Sequence, residues 1–236
     1  MKTVIVIPTY NERENLGRLV AEIFSLAISD LSVLVVDDNS PDGTGNVAEE
    51  LAKRFPVTVL HRARKEGLGV AYCDAFRHLL SMPSELSPDL IFEMDADLSH
   101  NPKDVPRFID AIQTADVVLG SRYVSGGSIE NWNVVRRMVS RFGNLYARIV
   151  LGLPYRDLTG GYKLFRSRVL KEIGISTLSS LGYNFQIETT YRAHQKGFKV
   201  HEIPIVFSER TTGKSKFNLA IFLESFWKVL ALRFRR

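Results

Sequence analysis

The sequence predicts an α/β fold in which helices sandwich a mostly parallel β-sheet. Three observations predict it. Short, continuously apolar, β-branched runs recur along the first half of the chain, segments at helical spacing separate them, and polar clusters follow the runs. Strands covered on both faces read as unbroken apolar runs. Regular strand–helix alternation then sets successive strands parallel.

The first run is Val4-Ile5-Val6-Ile7, stopped by Pro8, and a helix follows on Leu16, Leu19, Val20, Ile23 and Phe24. Val33-Leu34-Val35-Val36 is a second strand and ends in Asp37-Asp38. Val47, Leu51 and Phe55 mark a helix, Val57-Thr58-Val59-Leu60 a strand, and residues 67–80 another helix. Leu90-Ile91-Phe92 runs into Asp95-Ala96-Asp97, residues 104–113 predict a helix, and Val117-Val118-Leu119 a strand.

The 236 residues suffice for one sizeable domain or two small ones, and 45% hydrophobic residues exclude disorder. A net charge of +5 and a pI of about 9.3 favour an anionic partner: a phosphorylated ligand, a nucleic acid or an acidic membrane surface. The single cysteine, Cys73, excludes an internal disulfide and fits a reducing compartment. The apolar run that ends at Pro8 is too short for a signal peptide and lacks a cleavage site.

In parallel sheets, ligands bind beyond the carboxyl ends of the strands. Four such ends carry ligand-type side chains: Thr9-Tyr10-Asn11-Glu12, Asp37-Asp38-Asn39-Ser40, Asp95-Ala96-Asp97 and Ser121-Arg122-Tyr123. The competing reading is loop polarity and helix capping, and Ser40 and Asp42 are expected to serve partly as caps. Asp95 and Asp97 flank one residue after a buried strand, so both carboxylates can converge on a divalent cation. A cation there neutralises a leaving diphosphate. Asp38 suits a ribose hydroxyl or base edge, Tyr10 can cover a base, and Glu12 can accept hydrogen bonds from it. No G-x-G-x-x-G follows the first strand and no G-x-x-x-x-G-K-[ST] occurs, which argues against dinucleotide and P-loop sites. The loop Arg210-Thr211-Thr212-Gly213-Lys214-Ser215-Lys216 reads equally as a diphosphate clamp or a solvated surface.

Residues 133–151 are strongly amphipathic. Val135, Met138, Val139, Phe142, Leu145, Tyr146 and Ile149 share one face, and Arg136, Arg137, Ser140, Arg141 and Arg148 the other. Such a helix either turns its apolar face to the core or rests on an anionic membrane. Residues 217–234 are apolar almost all round but interrupted by Glu224 and Lys228. That is marginal for the ~20 residues a span needs, so a packed or amphipathic helix with a basic end is expected.

Together these motifs resemble the GT-A glycosyltransferases of family 2, and within them the dolichol-phosphate (polyprenol-phosphate) mannose synthases. The matching stretches are Pro8-Thr9-Tyr10-Asn11-Glu12-Arg13-Glu14-Asn15-Leu16, Val35-Val36-Asp37-Asp38-Asn39-Ser40-Pro41-Asp42-Gly43-Thr44 and Met94-Asp95-Ala96-Asp97-Leu98-Ser99-His100. Gly120-Ser121-Arg122-Tyr123, Asp157-Leu158-Thr159-Gly160 and Gly213-Lys214-Ser215-Lys216 complete the set, in order along the chain. The resemblance implies a GT-A (Rossmann-like) catalytic domain over residues 1–216 that contains an interfacial helix at 133–151, followed by a membrane-proximal helix at 217–236. It implies mannose transfer from GDP-mannose to a polyprenyl (dolichyl) phosphate, with inversion.

By the same resemblance, Pro8, Tyr10, Glu12, Val36 and Asp38 hold the guanine end. Asp95 and Ala96 line the donor, and Asp97 ligates Mg²⁺ or Mn²⁺, with Ser99 where relatives often carry a second metal-ligating Gln. Arg122 sits between donor and acceptor phosphates, Arg136 and Ser140 take the lipid phosphate, Asp157 lies near the acceptor, and Arg210 and Lys216 grip the diphosphate. The implied location is peripheral, on the cytoplasmic face of a membrane, directly or through a small anchoring subunit. Three other readings stay open: the same fold with UDP-glucose, a hydroxyl acceptor served by an essential carboxylate base, and a basic nucleic-acid-binding module. The strands lack the aromatic–basic interleaving that the last would need.

Overall fold

The structure is a computed structural model that describes residues 1–175, 178, 183–208 and 219–234. Among the described residues its central sheet has seven strands, in the spatial order β3 (Val57–His61), β2 (Leu31–Asp37), β1 (Thr3–Thr9), β4 (Leu90–Glu93), β7 (Lys163–Arg166), β5 (Val117–Ser121) and β8 (Val200–Pro204), numbered along the chain. A two-stranded sheet pairs β6 (Ser128–Ile129) with β9 (Val206–Phe207). The main sheet is parallel except for β7, which runs antiparallel to both β4 and β5.

The helices are α1 (Arg13–Ser25), α2 (Thr44–Ala52), α3 (Leu68–Leu80), α4 (Val105–Ala111), α5 (Val134–Leu151), α6 (Ser167–Glu172), α7 (Tyr183–Gln195) and α8 (Leu219–Phe234). Alternate strand residues feed two cores, as the two-residue period of a strand requires. Ile5, Ile7, Val33 and Val35 pack under α1, α2 and α4 with Leu16, Leu19, Ala48 and Phe108. Val6, Leu34 and Val36 pack under α3 and α7 with Tyr72, Phe76, Phe165 and Phe185. The mostly parallel sandwich is therefore as expected.

The helix expected over 104–113 is shorter: a 3₁₀ turn at Pro102–Asp104 leads into α4. Phe55 lies past the end of α2, where its ring stacks on Phe24 at 5.2 Å.

Strand order reverses beside β1, with β2 on one side and β4 on the other. The crevice at such a reversal is where open α/β sheets bind ligands. It is bounded here by the loops after β1, β2 and β4. Each loop contains a non-glycine residue in the left-handed region: Asn11 (φ 61°), Asn39 (φ 56°) and Leu98 (φ 61°). Asparagine tolerates that conformation, whereas for leucine it costs about 1–2 kcal/mol. The turn that separates Asp97 from Ser99 thus carries strain, a feature that clusters at functional sites.

α5 decides between its two readings. It buries Asn144, Ala147 and Leu151, while Val134, Val135, Met138, Phe142, Leu145 and Ile149 stand 51–71% exposed. Its apolar face points outward, so the core-facing reading fails. α8 lies against α5 and α7. Phe226 stacks on Tyr146 at 4.0 Å, the Tyr146 hydroxyl donates to the Phe226 carbonyl, and Val229 and Leu232 are buried. Trp227 and Phe234 remain exposed. Among the described residues no helix is long and apolar enough to cross a membrane.

Candidate active site

The loops after β1 and β2 are fastened to each other by their own polar groups. Asp42 accepts the N–H groups of Arg13 (3.2 Å) and Thr44 (2.9 Å), which satisfies donors at the starts of both α1 and α2. Ser40 accepts from the Asn11 N–H at 3.1 Å and donates to Asp37 at 2.6 Å. Asp42 therefore serves the first turns of both helices as expected, whereas Ser40 caps neither and instead ties the two loops together. Asp37 is structural, since it also accepts from Thr9 Oγ1 and the Ser40 N–H.

Of the residues expected at the nucleobase, Pro8, Tyr10 and Glu12 are half-buried along one rim. The Lys65 ammonium lies 3.6 Å from the Tyr10 ring centroid, and Glu12 accepts from Asn15 Nδ2 at 2.8 Å. Val36 differs from expectation: its side chain is wholly in the core, because β2 is covered on both faces. Asp38 is buried and paired with Arg62, which sequence reasoning missed. Arg62 also binds Asp74 at 2.7 Å and Glu66 at 3.1 Å. Burial raises the Asp38 pKa above the usual carboxylate range, and Arg62 opposes that shift. The signal for Arg62 was its place directly after β3, beside the acidic end of β2.

After β4, Asp95 and Asp97 sit over an aromatic floor. Tyr162 is buried between Phe92 and Phe108, and the His100 ring stacks on it at 4.5 Å. His100 Nδ1 accepts the Asp95 N–H at 3.1 Å, so the ring proton is on Nε2, 4.0 Å from the Asp95 carboxylate. Burial pushes the His100 pKa down to about 4 and keeps the imidazole neutral. Asp97 accepts the Ser99 N–H at 3.1 Å, which fixes its carboxylate. Ser99 Oγ is buried without a hydrogen-bond partner.

The donor set offered to a cation is therefore two carboxylates and an orphaned hydroxyl, all oxygen, with the His100 lone pair already committed. That fits a hard divalent ion whose remaining positions go to phosphate and water. Among the described residues no cluster of three or more His, Cys, Asp or Glu forms a protein-only metal cage. Ala96, between the two carboxylates, is 4% exposed and packs downward.

On the other side, Arg122 follows β5 and is buried. Its Nε and one terminal nitrogen bind the two Asp157 oxygens at 2.7 Å each, and the same terminal nitrogen donates to Thr159 Oγ1 at 2.9 Å. The Arg122 N–H also donates to Asp157, at 3.0 Å. Burial alone would raise the Asp157 pKa; the Arg122 charge and hydrogen bonds outweigh it and hold the carboxyl below its ordinary range. Asp157 is thus the anchor of Arg122. Its own N–H, with that of Arg156, donates to Glu202 on β8. Gly127 lets the chain fold back on this strand, since a Cβ there would lie 2.5 Å from the Ser121 carbonyl oxygen.

Arg136 and Ser140 meet Arg122 through aromatic rings. Trp132, unforeseen from sequence, has Arg136 over its ring at 3.9 Å and Arg122 at 5.7 Å. Tyr123 donates to Ser140 Oγ at 2.7 Å, and its ring lies 5.5 Å from the Arg122 guanidinium. An open cavity of about 580 Å³ adjoins Arg122, walled by Tyr123, Arg141, Asn144, Leu145 and Arg148 among others. Leu145 belongs also to the exposed apolar face of α5, so this basic cavity opens at that face. Arg210 and Lys216 lie outside the described residues.

Residues 4–174 match the profile of glycosyl transferase family 2. A polyprenol monophosphomannose synthase of Mycolicibacterium smegmatis is 45% identical over 231 residues, which is 97% of this chain and 85% of the relative. An undecaprenyl-phosphate mannosyltransferase of Micrococcus luteus is 45% identical over 226 residues, 95% of this chain and 91% of the relative. Among solved structures, a Mycobacterium tuberculosis glucosyl-3-phosphoglycerate synthase in complex with Mn²⁺, UDP-glucose and phosphoglyceric acid aligns with a TM-score of 0.68. Identity there is 17%, covering 98% of this chain and 79% of the other, so the likeness is one of fold.

Proposed function

The chain belongs to glycosyl transferase family 2, and from that premise we propose that it transfers mannose from GDP-mannose to the phosphate of a polyprenyl lipid. One observation carries the acceptor half of this reading. The outward apolar face of α5 borders a basic cavity that opens beside Arg122. A lipid with a phosphate head matches that juxtaposition: chain on the apolar stripe, anionic head among arginines. The two curated relatives, named for mannosyl transfer to polyprenyl phosphates, support it.

In this reading Asp95 and Asp97 mark the donor diphosphate, and Pro8, Tyr10, Glu12 and Asp38 line the base end. Asp97, together with Asp95 and Ser99, would hold a divalent cation, which would supply neutralisation for the departing diphosphate. Arg122, locked by Asp157, stands between donor and acceptor and offsets charge on both. Arg136 and Ser140 orient the lipid phosphate, and Arg210 and Lys216 grip the donor diphosphate. A phosphate oxygen attacks C1 of mannose from the side opposite the leaving group. The new O–C1 bond forms as the C1–O bond to GDP breaks with its electron pair, which inverts the anomeric centre to β. Proximity and fixed charge carry the rate.

The state of Asp157 favours a phosphate acceptor over a hydroxyl. A sugar hydroxyl needs a general base, whereas a phosphate monoester is already anionic at neutral pH. Asp157, the buried carboxylate on the acceptor side, is paired bidentately with Arg122 and held below the usual range, a poor base on both counts. We place the protein peripherally on a membrane, with α5 and α8 at its surface.

The test is a donor screen with undecaprenyl phosphate in detergent: GDP-mannose, UDP-glucose and UDP-N-acetylglucosamine, each with Mg²⁺, Mn²⁺ or EDTA. Metal-dependent mannosyl lipid from GDP-mannose alone is expected. Transfer only from a UDP-sugar would overturn the donor assignment.

A further inference from the structure

Arg122 follows the end of β5, and Arg136 stands on the first turn of α5. The two come from different parts of the fold, yet one side chain meets both. Trp132, half-buried between β6 and α5, has the Arg136 guanidinium 3.9 Å from its ring centroid and that of Arg122 5.7 Å from it. Two cations at those distances from one centroid lie within about 10 Å of each other, close to the Debye length at ~0.1 M salt. Each therefore repels the other, and both act on the same anion. The face of an aromatic ring attracts cations, and indole does so best.

The surroundings fix Arg122 and leave part of it open. A guanidinium has five N–H donors. Asp157 and Thr159 take those of Nε and of one terminal nitrogen. Among the described residues the other terminal nitrogen has no hydrogen-bond partner, and Arg122 lines the open cavity beside α5. Phe207 closes the aromatic side: its ring lies 5.4 Å from the Arg122 guanidinium and meets Trp132 edge-on at 5.5 Å. Local structure places the indole over Arg136. Asn133, the next residue, caps α5 by accepting the Arg136 N–H at 2.8 Å, so the ring and its cation are held within one turn. Stacking costs Arg136 its rotamer freedom before an acceptor arrives. Binding then no longer has to impose that ordering.

We propose that Trp132 is a positioning residue for the acceptor: its indole ring gathers the Arg122 and Arg136 guanidiniums so that both reach one lipid phosphate. The inference rests on the phosphate-acceptor reading of those two arginines and deepens it. Trp132 acts through the arginines and touches neither the donor nor the reacting atoms. Its loss should therefore weaken acceptor binding and spare the nucleotide.

The experiment uses the full chain with Trp132→Leu, Trp132→Phe, Arg136→Gln and the Trp132→Leu/Arg136→Gln double variant. KM and kcat for undecaprenyl phosphate are measured in detergent at saturating GDP-mannose with Mn²⁺, beside GDP affinity and melting temperature. Trp132→Leu should raise the acceptor KM about 5- to 30-fold, the worth of a partly desolvated cation–π contact, and leave GDP affinity within about twofold. Trp132→Phe keeps a ring and should recover most of the loss. Adding Trp132→Leu to Arg136→Gln should cost no more than about threefold further, because the ring has already lost one of its cations. An unchanged acceptor KM, or a fall in kcat, GDP affinity and melting temperature together, would show that Trp132 only supports the fold and would overturn the inference. So would full additivity of the two substitutions.

If Trp132→Leu folds poorly, fluorescence decides. The chain has two tryptophans, and the other, Trp227, is 67% exposed on α8. In Trp227→Phe protein the emission of Trp132 should change saturably with farnesyl phosphate, a short soluble acceptor, and not with farnesol. No change at concentrations of farnesyl phosphate that support turnover would sink the idea. A wild type that transfers mannose to undecaprenyl phosphate while the variants keep its KM sinks this inference alone; a wild type that transfers to no polyprenyl phosphate sinks the functional reading with it.

Discussion

Truncating Phe142 and Ile149 together to alanine should release the protein from membranes and leave its fold intact. Both side chains project from α5, 57% and 70% exposed. Fully burying such a residue is worth about 1.5–3 kcal/mol, so roughly half or more of that, about 1–2 kcal/mol each, is available to a lipid surface. Removing both should weaken binding by about 2–4 kcal/mol, roughly 30- to 700-fold in partition coefficient. Because the folded chain does not use this apolar area, the melting temperature should move by no more than about 2 °C. Co-sedimentation with vesicles containing anionic phospholipid measures the first quantity, and calorimetry the second. A large fall in melting temperature with unchanged vesicle binding would show instead that the face is packed against protein in solution.

Replacing Asp97 by Asn should cut mannosyl transfer by about 10²–10³-fold and abolish its response to Mn²⁺, with little change in thermal stability; this is read in the donor assay with and without EDTA. Asp157→Asn leaves the Arg122 charge buried without its partner, which should cost about 3–5 kcal/mol, a fall in melting temperature on the order of 10 °C. The Asp157 pKa is lower in the folded chain than in the unfolded one, so the pair's contribution is complete above the unfolded carboxylate value near 4 and fades as pH falls below it. The gap between wild type and Asp157→Asn in a pH series of melting curves should accordingly be constant from pH 7 to about 5 and narrow only under stronger acid. Cys73 is buried and its pKa is pushed up to about 11 by that burial, so thiol reagents at neutral pH should label it only after the chain is unfolded, as mass spectrometry would show.

What the sequence made legible follows from burial. β1, β2, β4 and β5 are covered on both faces and therefore read as unbroken apolar runs, and the acidic residues at their ends stood out against them. β7 and β8 escaped notice for physical reasons. β7 is four residues long and opens with Lys163, a fully buried lysine whose ammonium is held by a backbone carbonyl and a threonine hydroxyl that come from far along the chain. β8 lies at the sheet edge, carries His201 and Glu202, and ends in Pro204, a composition that edge strands permit. Asp95 and Asp97 could be placed because local order fixes them. The role of Asp157 could not, because its pairing with Arg122 spans 35 residues. Periodicity showed that α5 is amphipathic but not which side meets the core, and the structure turned the apolar side outward. Trp132 carries no motif, and only its neighbours Arg122 and Arg136 reveal it.

In the proposed reaction the nucleophile is a phosphate already charged, so that no protein base is needed. The direct test offers undecaprenyl phosphate and undecaprenol, the free alcohol, to the same enzyme with GDP-mannose and Mn²⁺, and identifies the lipid product by mass spectrometry. Mannosyl phosphate lipid from the first and no product from the second is predicted. Mannosylation of the alcohol at a comparable rate would overturn the phosphate-acceptor assignment.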